Sequence, residues 1–245
     1  MKKVKLIRII ILISILFIWQ LLANLKIINT FMFSSPLEIL KCLKELIDEN
    51  KLLINIYVTL KEVLISFFIS SSLAFIIASI LISNKYIYEV TNPFLTILNA
   101  LPKSALGPLI ILIFGASIKS VIIESILIGI FVTIINIYNS FKNTNKEYIM
   151  LIKSFKGTNK DIFKYAILPC NKLNIIDACK INLSLTFVGT VMGELLVSKE
   201  GIGYLINYGT SIFNITLVIT CIIILCILSY ILYEIMEKIE KKISN

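Results

Sequence analysis

Apolar residues run along this chain in blocks too long for the core of a soluble domain, and its polar residues gather between the blocks. A helix needs about 20 consecutive apolar residues to cross the hydrocarbon of a bilayer. The first block, "IIILISILFIWQLLANL", follows the basic lead "MKKVKLIR". It is long for the apolar core of a leader peptide and no small-x-small cleavage site follows, so a retained span over 6–25 is expected. Further blocks place spans at 60–83, 90–114, 119–141, 175–197 and 213–235. The predicted fold class is all-α: one polytopic membrane domain over residues 1–245, with six transmembrane helices.

Smaller elements lie between the spans. In "SSPLEILKCLKELIDEN", Ser35 as N-cap, Pro36 at the first helical position and Glu38 three residues after the cap predict a capping-box start. Leu37, Leu40, Leu43 and Ile47 form one apolar stripe, so an amphipathic helix too short to span is expected at the outer surface. The 90–114 block is interrupted by "NALPKSALGP", where Pro102 and Pro108 free backbone groups that lipid cannot satisfy; a bent or broken span facing protein is expected. "SKEGIGYLINYG" reads as a short polar outer loop. Its Gly201-Ile-Gly203 is a tight turn and not a dinucleotide fingerprint, since no strand precedes it. Gly189 and Gly193, four apart in the 175–197 span, predict close helix packing, at a dimer seam or elsewhere.

Composition agrees with a membrane domain: 58% of the 245 residues are hydrophobic and 16% charged, with a mean hydropathy of +0.92. The net charge of +9 is not a nucleic-acid footprint, because its lysines sit in short clusters between spans and not on an aromatic-interleaved face. Lys2, Lys3, Lys5 and Arg8, then Lys142, Lys146, Lys153, Lys156, Lys160, Lys164 and Lys172, then Lys238, Lys241 and Lys242 fall on one side, which predicts both termini in the cytoplasm. The chain has no histidine, so no Ser-His or Cys-His nucleophile can be built. Asp48, Asp161 and Asp177 are too scattered for a metal-dependent membrane enzyme, and no G-x-x-x-x-G-K-[S/T] is present to cradle nucleotide phosphates. No cofactor or metal is expected. The five cysteines form no C-x-x-C and read as buried small apolar groups.

The largest inside loop, 142–172, is not a plain tether. In "KEYIMLIKSFKGTNKDIFKYAILP", Tyr148, Leu151, Ile152 and Phe155 fall at helical spacing and Gly157 can stop that helix. Thr158 with Asp161 reads as a restart, and Ile162, Phe163, Ala166 and Ile167 give a second apolar face closed by Pro169. Two readings fit: basic helices lying on lipid headgroups, or a knob with apolar anchors for a cytoplasmic partner.

Four segments in order, "FSSPLEIL", "LNALPKSALGPLIILIFG", "KSFKGTNKDIFKYAILP" and "GELLVSKEGIGYLI", resemble the permeases of bacterial ATP-binding-cassette importers of the nitrate/sulfonate/taurine type. The loop departs from that family's E-A-A-x3-G-x9-I-x-L-P pattern: its acid-and-alanine positions hold Met150, Leu151 and Ile152, its glycine position Lys156 and its isoleucine position Ala166. The resemblance implies a coupling helix docking in a cleft of a separate ATPase subunit present in two copies. It further implies a second permease copy, an extracytoplasmic solute-binding protein, and a small solute, expected to be anionic or sulfonate-like. Leu151, Phe155, Gly157, Thr158, Ile162 and Pro169 are the coupling candidates, with Lys153 and Lys160 as rim charges. Pro102, Lys103, Ser104 and Glu194 are candidates for the translocation path, since charge inside a membrane is rarely idle. Lys103 equally fits snorkelling to an interface. An ATP-independent channel or assembly factor is the alternative.

Overall fold

The computed structural model describes residues 2–244; the side chains of residues 2–6, 8, 9, 12 and 104 lie outside the described residues, and so do those of Lys2, Lys3, Lys5, Arg8 and the path candidate Ser104. Among the described residues there is no strand. In chain order come α1 (Lys2–Asn24), α2 (Thr30–Phe33), α3 (Pro36–Asp48), α4 (Lys51–Ser83) and α5 (Lys85–Ala100). A 3₁₀ turn (Lys103–Leu106), α6 (Gly107–Phe114), α7 (Ile118–Lys142), α8 (Lys146–Ser154) and α9 (Asn159–Ile162) follow. A π turn (Phe163–Ile167) leads to α10 (Leu168–Cys170), α11 (Lys172–Val197), α12 (Ile202–Ser211) and α13 (Ile215–Ser244). Among the described residues four of these are long and apolar enough to cross a membrane: α4 with 33 residues, α7 with 25, α11 with 26 and α13 with 30.

The chain between α4 and α7 breaks where its prolines dictate. Leu101, held extended (φ −61°, ψ 138°) by the ring of Pro102, closes α5. Pro108 falls in the first turn of α6, where its missing N–H has no partner to lose.

α4, α7 and α11 form the centre of the molecule. Gly189 and Gly193 set the approach of α11 to α7: a Cβ at Gly189 would lie 2.6 Å from Ser125 Cα, and one at Gly193 3.0 Å from Val121 Cα. The contact they permit is inside one chain. Polar side chains join the same three helices. Asn182 Nδ2 donates to Ser70 Oγ and Ser71 Oγ, 2.7 Å each; Ser125 Oγ donates to the Thr186 carbonyl (2.7 Å), and Thr190 Oγ1 to Ser125 Oγ (3.2 Å). In hydrocarbon an unsatisfied hydroxyl or amide is costly, so such bonds hold apolar helices in one register.

The amphipathic helix is α3, and Ser35 Oγ accepts from the Glu38 amide at 3.3 Å. Its inward face differs from the expected stripe: Ile39 and Leu46 are buried, Leu46 with the partly buried Cys42 and Leu43 in a cluster that includes α13 side chains, while Leu37, Leu40 and Ile47 point outward. The helix carries two apolar stripes, and the neighbour α13 selects between them. The expected outer loop after α11 is also corrected, since eight of its residues coil into the ten-residue α12. Nor are all the cysteines buried: Cys221 is, whereas Cys170 and Cys226 are exposed.

Candidate functional site

The 142–172 segment folds as a knob fixed to the ends of α4, α7 and α11. Phe141, at the end of α7, is 1% exposed and meets Phe75 and Phe163 edge-on at 6.2 and 5.6 Å between centroids. Ile162, Ala166 and Ile167 are buried; Ile162 and Ile167 pack with Ala78, Leu81 and Ile137 in one cluster. Asn171 Nδ2 donates to Thr144 Oγ1 (2.7 Å) and to the Ile167 carbonyl (2.8 Å), tying the two feet of the knob together. Ile162, expected among the docking residues, is therefore one of the side chains that hold the knob on the bundle, because its face of the short helix enters the cluster built from α4 and α7 side chains.

The outward face presents different residues. Ile149 and Ile152 turn toward the bundle, leaving Tyr148, Leu151 and Phe155 exposed at i, i+3 and i+7, with Phe155 79% exposed. Lys153, Lys156 and Lys160 are exposed around them. α8 does not end on Gly157 as expected. Lys156 takes the left-handed position (φ 57°), and its amide and that of Gly157 donate back to the Lys153 and Ile152 carbonyls at 2.9 and 3.0 Å. Gly157 is needed one place later, where a Cβ would lie 2.9 Å from the Ile152 carbonyl oxygen.

Thr158 caps α9 in both directions. Its Oγ1 accepts from the Asp161 amide at 3.3 Å, and its own amide donates to Asp161 Oδ2 at 2.8 Å. The Thr158 hydroxyl and amide together hold the Asp161 carboxyl below its ordinary value. Pro169 does not close the helix: the chain widens into the π turn ahead of it, accommodating a ring that offers no N–H to the preceding turn, and stays helical to Cys170. Pro169 itself is exposed; Lys160 lines a groove of 400 Å³ with Ser83 and Phe163.

At the opposite end of α4 and α11 lies a second polar arrangement. Glu194, expected to line a path, is fully buried. It accepts from Thr59 Oγ1 at 2.7 Å and from the Gly203 amide at 2.6 Å. Asn55 Oδ1 accepts from the Gly201 amide (2.6 Å) and Thr59 Oγ1 from that of Ile202 (2.9 Å). The first N–H groups of α12 are thus capped by three side chains from other helices, satisfying donors that the local sequence leaves open. This also accounts for Gly201-Ile-Gly203: a Cβ at either glycine would fall within 2.6 Å of a Glu194 side-chain atom. Glu62 lies beside Glu194 and was hidden in the sequence because Lys61-Glu62 reads as the polar edge of a span.

Lys103 is half-buried. Its Nζ donates to Asn99 Oδ1 and to the Ile128 carbonyl, both at 3.2 Å, and stands 5.9 Å from the Phe131 ring centroid. Pro102, beside it, is exposed.

Long apolar helices joined by small polar side chains, with a basic structured knob on one end, define a polytopic membrane protein. The chain belongs to the family described as binding-protein-dependent transport system inner membrane component, whose model matches residues 59–245. It is an ABC importer permease subunit and a multi-pass membrane protein. A "Probable ABC transporter permease protein" of Haemophilus influenzae is 29% identical over 220 residues, 89% of each chain. The formylaminopyrimidine transport permease ThiX of Halalkalibacterium halodurans is 25% identical over 223 residues, 91% of this chain and 88% of that one. In fold, the chain is similar to one from inward-facing structures of the MetNI methionine ABC transporter, with a TM-score of 0.68 at 19% identity, over 78% of this chain and 95% of that one.

Proposed function

We propose that the knob is the coupling element of this permease: its exposed Tyr148, Leu151 and Phe155 enter a cleft of a cytoplasmic ATPase subunit, and its buried face passes the motion of that subunit to α4 and α7. The observation that carries this reading is the two-sidedness of the segment, an inner face fixed in the bundle's core beside an outer face that leaves Phe155 79% exposed among lysines. Apolar anchors supply most of the energy of such docking and the surrounding charges rather little. Closure of two ATPase subunits would then swing two permease copies between outward- and inward-facing arrangements, a shift between two populated states. The lysine distribution supports cytoplasmic termini, on the same side as the knob. The solute is small and delivered by an extracytoplasmic binding protein. Lys103, held inside by Asn99 and the Ile128 carbonyl, stays a candidate for the path with Pro102. An anionic solute fits such a lysine.

A photo-crosslinking residue at Phe155, activated in membranes that contain the assembled transporter, tests the docking. Adducts to a nucleotide hydrolase are expected. Adducts to phospholipid alone would overturn the proposal.

A further inference from the structure

A cavity of 180 Å³ lies beneath the turn that joins α11 to α12, with Glu62 of α4 in its wall beside Ser117, Ser198, Lys199 and Glu200. Glu62 is 1% exposed, and neither of its carboxylate oxygens meets a hydrogen-bond donor. Its polar neighbour is the carboxyl of Glu194, within hydrogen-bonding reach. Glu194 already has a donor on each oxygen, Thr59 on one and the Gly203 amide on the other, so it has none to share. The surrounding charges do not compensate: Lys61, next in the chain, and Lys199, at the cavity rim, are both exposed, and Glu200 adds a further negative group. Glu124 on α7 is buried too, but faces Gly107.

Two carboxylates in contact away from water, one of them without a donor, call for positive charge. Among the described residues no three His, Cys, Asp or Glu side chains are grouped to hold a metal ion. The available ligands are carboxylate and hydroxyl oxygens, which suit hard, weakly demanding cations. A proton would satisfy one Glu62 oxygen and leave the other facing the cavity.

We propose that this cavity binds one small monovalent cation, an alkali ion or ammonium, held by the carboxylate of Glu62 with Ser117 and Ser198 contributing hydroxyl oxygens, while Glu194, buried behind Glu62, adds negative charge without reaching the cavity. Seated there, the ion links α4, the start of α7 and the α11–α12 turn, and so stiffens the end of the molecule opposite the knob. The site is independent of the coupling reading.

Thermal unfolding of the purified full-length protein in nanodiscs tests it, with sodium, potassium or ammonium chloride replacing choline chloride at constant ionic strength. A saturable rise in the unfolding midpoint is expected with at least one small cation, and the three arms separate the alkali ions from ammonium. Glu62→Gln removes the charge at nearly constant shape and abolishes that rise. Ser198→Ala, on the half-exposed rim, shifts the half-saturating concentration at least threefold and decides the matter if the Glu62 variant does not fold. A midpoint indifferent to all small cations, as a proton-neutralised pair would give, overturns the proposal. So does a saturable rise that survives in both variants unchanged.

Discussion

Phe155→Asp separates docking from folding. The side chain is 79% exposed, so its removal costs the isolated chain little. The end of α8 is held by backbone bonds from the Lys156 and Gly157 amides, which the substitution leaves in place. In a partner's cleft the same ring would leave water almost entirely, a burial that contributes about 1.5–3 kcal/mol for a side chain of this size. Aspartate loses that contribution and brings a carboxylate that must be desolvated, so the total loss is about 2–4 kcal/mol. That corresponds to about 30- to 800-fold weaker binding. The assay is titration of nanodisc-embedded permease with its ATPase, alongside ATP-dependent uptake in vesicles; the melting temperature of the permease alone should not move. Phe155→Leu, which keeps most of the apolar surface, should retain the larger part of the affinity. If Phe155→Asp bound the ATPase within threefold of wild type and sustained uptake, the knob would not be the coupling element.

Other expectations concern the parts that hold these surfaces. Gly203→Ala places a Cβ 2.6 Å from Glu194 Cβ and 2.8 Å from the Val191 carbonyl; the overpacking should destabilise the protein by about 1–3 kcal/mol, read as a lower unfolding midpoint, and an unchanged midpoint would count against the buried clamp. Lys156→Gly relieves a left-handed residue at φ 57° and should stabilise the knob by about 1 kcal/mol, seen as slower proteolytic nicking after α8. Asp161 titrates below its ordinary 3.8 because Thr158 bonds its ionised form. Its contribution is therefore complete above that ordinary value and fades as the pH falls through the lower folded one. Protease resistance of the knob should stay flat from neutral pH down to about pH 5 and drop only below pH 4, and Asp161→Asn should remove that acid transition.

Much of this molecule was legible in its one-dimensional pattern. Period and length alone mark the long apolar helices, since a bilayer fixes how many residues a span requires. The caps at Ser35 and Thr158 are local too, because a side chain that bonds an amide three residues on depends on nothing beyond its own turn. Pro102 ended α5 through a steric rule that acts on its immediate neighbour.

What the pattern left open was direction. On α3 and α8 apolar residues occupy more than one face, and only the neighbours decide that Ile39 and Leu46 face inward on the first, or that Ile152 is inward and Leu151 outward on the second. Ile162 shifts from anchor to core for the same reason. The cap of α12 lies wholly beyond local reading: Asn55 and Thr59 come from more than 140 positions away, as close to the Gly201 and Ile202 amides as a local cap would be. The Glu62–Glu194 contact spans a comparable separation in the chain. Composition and periodicity sufficed to say that this chain crosses a membrane, because partition between water and lipid is a property of each segment. Which acids meet, and which side of the knob is free, depended on how those segments pack, because contact is a property of pairs.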